Sequence, residues 1–226
     1  MNMIHDLSID DLYRLVEKQL NNLFVFDKSS ETKLLYKAIE TALKRTEKNF
    51  AFNKNKYYSR DGNVVFNFFH SGQYTIFLYY LSNTLQKESG ILADRIYYLN
   101  KALNAVDLFY EIELPDVFFL DHPVGTVMGR AKYANFFSFS QNCTVGNNKG
   151  VYPEFDKYVT MLSGSKVIGN TRIGENCIIA ADTYIKDAVI PENSIVFGSS
   201  PHLVIQKRTK EEMDDFFSKQ WRTEQQ

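Results

Sequence analysis

The sequence predicts an α+β chain in three successive parts: a helical domain over 1–105, a coil of short parallel strands over 106–205, and a final helix over 206–226. Three observations carry this. Backbone punctuation is one-sided: Pro115, Pro123, Pro153, Pro191 and Pro201 are all the prolines, and eight of the eleven glycines lie between Gly125 and Gly198. The first half repeats apolar residues at helical spacing. The second half repeats them every sixth residue.

The helices follow in order. Ser8 precedes Ile9-Asp10-Asp11, so its hydroxyl can cap the first backbone N–H groups, with Asp11 placed as in a capping box. Leu12, Leu15, Val16, Leu20 and Leu23 then mark one helical face. Ser29, Ser30 and Glu31 open a second helix with Leu34, Leu35, Ala38, Ile39, Ala42 and Leu43 inside. Lys44, Arg45 and Lys48 near its end suit the negative pole of the dipole. Asp61-Gly62 marks a turn. Ser71-Gly72 starts a third helix with Tyr74, Phe77, Leu78, Leu81 and Leu85, and Ser89-Gly90 breaks the chain. A fourth carries Leu92, Ile96, Leu99 and Leu103. At the other end of the chain, Thr209 and Glu212 form a capping box before a stripe of Met213, Phe216, Phe217 and Trp221.

The repeat reads Phe155, Met161, Val167, Ile173, Ile179, Ile185, Pro191 and Phe197. Four residues after each of the first seven stand Val159, Ser165, Thr171, Cys177, Thr183, Val189 and Ile195. Gly, Asn and Asp fill the gaps between them. A period of two would be a strand and 3.6 a helix. A period of six describes a short strand and a corner. Three such units close a triangular coil of about 18 residues, with the large side chains stacked inside. The phase extends back through Tyr133, Phe139 and Val145, and before a one-residue slip through Leu108, Leu114 and Leu120. An inserted loop occupies Gly146 to Pro153.

Composition excludes several classes. Net charge is −1, and no basic block offers the concentrated positive charge that nucleic acid requires. No charge-free stretch of about 18 apolar residues exists, so no membrane span is expected. The acid-bearing segment Met1–Asp11 does not read as a signal peptide. Two cysteines, Cys143 and Cys177, suit a reducing cytosol, and at small repeat positions they read as packing residues. The expected location is cytoplasmic.

This pattern resembles the hexapeptide-repeat acyltransferases, whose fold is a left-handed parallel β-helix. A narrower likeness is to the serine acetyltransferases. Val106-Asp107, then Leu120-Asp121-His122-Pro123-Val124-Gly125 and Val127-Met128-Gly129, resemble that family's Val-Asp and Leu/Phe-Asp-His-x-x-Gly, with the spacing from catalytic Asp to catalytic His kept. Cys143-Thr144-Val145-Gly146, with Gly150 and Pro153, is similar to its Thr-Leu-Gly-Gly and His-Pro loop. Phe69-His70 with Gln73-Tyr74 is similar to the Phe-His that opens a helix before its β-helix. The likeness spans about residues 66–200.

The resemblance implies that His122 is the general base and Asp107 its carboxylate partner. Acyl transfer from a thioester needs a base for the acceptor hydroxyl, and an imidazole with pKa near ~6.5 suits that at neutral pH. A carboxylate would hold its tautomer. Asp107 has a plain alternative as the turn residue that begins the first coil. Asp121 is expected against the acceptor. The resemblance further implies acetyl-CoA as donor, held in a groove between two β-helices of a homotrimer, with no acyl-enzyme. By position it carries CoA contacts to Gly146, Ser163, Gly164, Ala180, Ala181, Lys186 and Ser199. A dimer of trimers joined through the helical domains stays open. No metal is expected. The γ-class carbonic anhydrases share the β-helix but use three histidines, and the repeat region offers His122 and His202 alone.

The departures concern the acceptor. The family loop carries Arg-His before its proline, and the Arg binds the serine carboxylate. Here Lys149-Gly150-Val151-Tyr152-Pro153 puts Val151 at the Arg and Tyr152 at the His. A Val cannot replace a bidentate guanidinium. The chain given ends Thr223-Glu224-Gln225-Gln226, without the terminal Ile with which many members dock onto cysteine synthase. Tyr152, with Phe118, Phe119, Tyr133, Phe136 and Phe137, suits a sugar ring. The expected function is O-acetylation of a saccharide, as in surface-polysaccharide synthesis, with Lys149, Tyr152 and His70 as further acceptor contacts. For His70, a structural role at its helix start competes. The alternatives are serine O-acetylation in cysteine biosynthesis and a non-catalytic assembly scaffold.

Overall fold

A computed structural model describes residues 3–5 and 7–222. The terminal Thr223–Gln226 and part of the Met1–Asp11 segment lie outside the described residues. Two compact units divide the chain. One is Met1–Ala51 with Lys56–Glu111, and the other is Phe52–Asn55 with Ile112–Gln226.

Among the described residues the first unit holds four helices: α1 (Ile9–Leu23), α2 (Lys28–Ala51), α3 (Ser71–Leu85) and α4 (Gly90–Asn104). Ser8 caps α1 by accepting the Asp11 N–H at 3.1 Å, and Ser89 caps α4 by accepting from Leu92 N–H. The second helix starts earlier than Ser29-Ser30 suggests. The Asp27 carboxylate accepts the Ser29 N–H and both serine hydroxyls, so Asp27 is the capping acceptor, and these bonds hold its pKa below the ordinary value. α3 packs against both α2 and α4. Its consecutive residues Ile76 to Leu81 are all buried, as expected of a helix enclosed on every side. On α4, Leu92, Ile96 and Leu99 are buried, but Leu103 is half exposed because the last turn runs past the core.

The turn at Asp61-Gly62 belongs to a hairpin that helical periodicity missed. Ser59–Arg60 pairs antiparallel with Asn63-Val64, and Ile4–His5 adds a parallel strand. The φ values of 51° and 80° at Asp61 and Gly62 fit the tight hairpin turn for which Asp-Gly is the preferred pair.

The second unit is a parallel β-solenoid of about five turns. Its first face stacks Phe118–Asp121, Phe137–Ser140, Val159–Met161, Cys177–Ile179 and Ser194–Ser199. The second stacks Val127–Met128, Thr144–Gly146, Lys166–Ile168 and Tyr184–Lys186. The third stacks Lys132–Tyr133, Glu154–Phe155, Arg172–Ile173 and Val189–Ile190. Register brings like residues together inside: Leu120, Phe139, Met161, Ile179 and Val196 form one buried column. Tyr133 stacks on Phe155 with ring centroids 5.3 Å apart and planes 3° from parallel.

The period of six fails at its last two positions. Ile190 pairs with Ile173, and Val196 with Ile179; both are buried. Pro191 is therefore not an interior residue, and Phe197 is 37% exposed. The small-residue column slips one position sooner: Val189 is exposed, and the buried Ser194 stands in place of Ile195. The corner at Asp187, with φ of 50°, is one residue shorter than its predecessors.

The outer side of the first face is covered by α5 (Lys210–Gln220). Thr209 and Glu212 make both bonds of the capping box. Met213, Phe217 and Trp221 are buried against Val117, Phe136 and Ile178, while Phe216 stays partly exposed. Each full burial of this kind contributes roughly 1.5–3 kcal/mol. Phe52–Asn55 joins the same end of the unit: Asn53 bridges Trp221, and the Phe52 ring lies 5.8 Å from that of Phe136. Among the described residues no helix is long and apolar enough to cross a membrane.

Candidate active site

His122 follows the strand Phe118–Asp121 at the corner between the first and second faces. Its backbone is left-handed, with φ of 47°, and its carbonyl accepts the Val124 N–H at 2.7 Å. Such a conformation is uncommon outside glycine, and it turns the side chain out of the coil. The ring is 86% exposed, and Nε2 lies 3.6 Å from the half-exposed Asp121 carboxylate.

Backbone bonds run up this corner from coil to coil: Asn142 N–H to Val124 O, Gly164 N–H to Gln141 O, and Asp182 N–H to Ser163 O. Ser163, Gly164, Ala180 and Ala181 therefore stack in the same column as His122. Gly164 has φ of 74°, and a Cβ there would stand 2.2 Å from Asp182 Oδ1.

A second group of expected residues gathers at the next corner, between the second and third faces. Gly146 and Lys186 both pair with Ile168. The inserted loop also projects here. Asn148 and Val151 exchange backbone bonds of 3.0 Å across a two-residue tip, Lys149-Gly150, with φ of 52° and 79°. Tyr152, 40% exposed, lines a cleft of about 420 Å³ with Arg130, Ala131, Lys132, Val151, Pro153 and Glu154. Lys132 binds Glu154 at 2.7 Å, and Arg172 approaches it at 3.5 Å. The Lys132 bond, then the Arg172 charge, holds the Glu154 carboxyl below the usual range. Near the same corner in the last coil, Ser200 Oγ accepts the Lys186 N–H, and Ser199 pairs with both Tyr184 and His202.

Arg130 and Lys132 escaped the sequence reading. The coil register could have found them. Lys132 pairs with Glu154, which sets Arg130 in line with Tyr152 one coil away.

Two expected residues lie in the helical unit, where their bonds are local. Asp107 accepts from the Tyr97 hydroxyl at 2.8 Å and from Lys101 Nζ at 2.6 Å. The Asp107 hydrogen bond raises the Lys101 pKa, while burial and then the same carboxylate raise that of Tyr97. His70 caps α3, its Nδ1 accepting the Gln73 N–H at 3.3 Å, and its ring lies 5.7 Å from that of Tyr57.

The aromatic residues expected around a sugar are placed otherwise. Phe118, Phe136 and Phe137 are fully buried, and Tyr133 stacks on Phe155 and Phe137. They fill the coil or hold α5, because parallel register makes aromatic columns favourable there. Of the set, Tyr152 lines the cleft at the loop and Phe119 lines a second cavity beside α5. Both thiols are buried, and burial raises the Cys143 pKa and pushes Cys177 up to about 11. Neither is a nucleophile at neutral pH.

No protein-family model matches the chain. A serine acetyltransferase of Staphylococcus epidermidis is 23% identical over 155 residues, covering 61% of this chain and 67% of that protein. The crystal structure of the Neisseria gonorrhoeae serine acetyltransferase matches with a TM-score of 0.71 at 19% identity, over 92% of this chain and 84% of that one. A serine acetyltransferase in complex with CoA matches with a TM-score of 0.66 at 17% identity, over 88% and 84% of the two chains. The expected resemblance thus holds in sequence and in fold.

Proposed function

We propose that this chain is an acetyl-CoA-dependent O-acyltransferase of the serine acetyltransferase type, with L-serine as its first acceptor. Its curated relatives and its fold neighbours are serine acetyltransferases, and one neighbour holds CoA. The observation that carries the choice of acceptor is the cleft beside Val151 and Tyr152. Arg130 lines it beside Lys132, which is paired with Glu154, so the cleft offers a guanidinium although the loop carries no arginine. The buried Phe118, Phe136 and Phe137 also remove most of the case for a sugar platform.

In this reading His122 accepts the acceptor's hydroxyl proton as the oxygen attacks the thioester carbonyl. The C–S bond breaks, an ester C–O bond forms, and the imidazolium returns the proton to the departing CoA sulfur. Asp107 keeps the orienting role that the resemblance implies. CoA runs along the column of Ser163, Gly164, Ala180 and Ala181. His122 and the Arg130 cleft stand at different corners of one coil, so a homotrimer that sets one corner against the next completes the site. A cytoplasmic location fits a donor made there.

Saccharide acetylation remains the second reading, carried by the exposed Tyr152 ring at the cleft. Thiol release from acetyl-CoA separates the two. L-serine is expected to outpace homoserine, amino sugars and glycans. A faster sugar or glycan overturns serine as acceptor, and a folded protein that releases CoA with none of them overturns the enzyme.

A further inference from the structure

A cavity of about 190 Å³ opens on the outer side of the first face, between that sheet and α5. The side chains of Phe119, Leu162 and Phe216 wall it, the sheet side carries Ser138, Ser140 and Thr160, and Asp121 and Gln220 also line it. The Ser138 and Thr160 hydroxyls lie 2.8 Å apart and bond each other, in residues that are 2% and 7% exposed. That pair asks for no polar ligand atom. Most of the surface the cavity exposes is apolar, and the slot reaches the carboxylate beside His122.

Size sets the occupant. An apolar cavity of about 150 Å³ takes a benzene-sized group, so this slot takes a chain of about six carbons. Serine is small and charged at both ends and has nothing to put there. The other group that must lie against His122 in the same step is the acyl chain. The slot also borders the corner proposed for CoA, since Leu162 in its wall directly precedes Ser163 and Gly164.

We propose that this slot binds the acyl chain of the donor, and that the enzyme transfers chains of about four to six carbons as well as acetyl. The inference rests on the acyltransfer reading above and deepens it. Bond making and breaking are those already given, and only the chain on the carbonyl changes.

The test compares kcat/KM for acetyl-, butyryl- and hexanoyl-CoA with serine on the full chain. Hexanoyl-CoA is expected to match or exceed acetyl-CoA. Phe216→Ala removes one wall and is expected to lower the hexanoyl-to-acetyl ratio about tenfold, the scale on which an apolar pocket discriminates. Ser140→Leu fills the slot from the sheet and should lower the same ratio without touching α5. Acetyl-CoA turnover without hexanoyl-CoA turnover overturns the slot and leaves the acetyltransferase reading intact. So does a ratio that neither variant moves. Acetyl transfer confined to an alkyl-bearing acceptor assigns the slot to the acceptor and overturns it too. Turnover with no donor overturns both readings.

Discussion

Arg130 and Tyr152, on successive coils, line one cleft beside the loop tip. Charge from one coil thus stands where the loop of the next has lost it. Replacing Arg130 by Ala is expected to raise KM for serine about tenfold or more, because a hydrogen bond to a charged group contributes roughly 1.5–3 kcal/mol. kcat should change far less. Steady-state kinetics with serine and with its amide separate the effects, since the amide should not feel the change.

The exposed ring of His122 makes a clean catalytic test. His122→Asn keeps a residue that tolerates left-handed backbone and removes the base. kcat should fall by roughly a hundred- to ten-thousand-fold. The melting temperature should stay put, as the 86% exposed side chain packs on little. An unchanged kcat would remove His122 as the base, whereas undiminished biological activity of the variant without turnover would support the scaffold alternative.

Gly129 measures how tightly the coils approach. A Cβ there would stand 2.4 Å from the backbone oxygen of Val145, which belongs to the next coil and cannot swing aside. Gly129→Ala should destabilise by about 1–3 kcal/mol. Gly90, in the first turn of α4 with open space around it, should tolerate Ala or gain up to about 1 kcal/mol. Urea denaturation of the two variants checks the contrast.

The buried thiol of Cys177 gives a pH dependence of known sign. Burial pushes its folded pKa up to about 11, against the ordinary thiol value of 9.0. The unfolded chain loses that proton first, so stability is full below pH 9 and declines between pH 9 and pH 11. Cys177→Ala should flatten that part of the stability curve. In the native protein at pH 8 a thiol reagent should label neither cysteine until the coil unfolds, and rapid native labelling would contradict the burial.

The Glu154 carboxyl shifts the other way. Lys132 and Arg172 hold it low, so its favourable contribution is present above the ordinary carboxylate range and is lost as pH falls through the lowered value. Lys132→Met should move the Glu154 carboxyl titration back toward that range, as read by NMR.

Much of the coil was legible because six-residue periodicity is a local property. The repeat sets one large apolar residue inside each short strand, and most left-handed corners carry Asn, Asp or Gly. The reading failed where one corner shortened. The slip before Ile190 leaves no local mark, since Pro191 and Phe197 are as apolar as the residues that replace them inside. The start of α3 at Ser71 is as the sequence suggests, and the structural role open to His70 at that start is the cap its ring nitrogen makes to the Gln73 N–H.

By itself the sequence determined the architecture, the helix starts at Ser8, Ser89 and Thr209, and His122 as the residue to test. These depend on neighbours within a few positions, so periodicity and capping chemistry reveal them. Tertiary structure alone decided that Phe118 and Phe137 face inward while Phe136 is covered by α5, that Arg130 meets Tyr152, and that α5 roofs a slot reaching Asp121. Each of those depends on coil-to-coil register, and an inserted loop or a shortened corner changes the register without changing the local pattern.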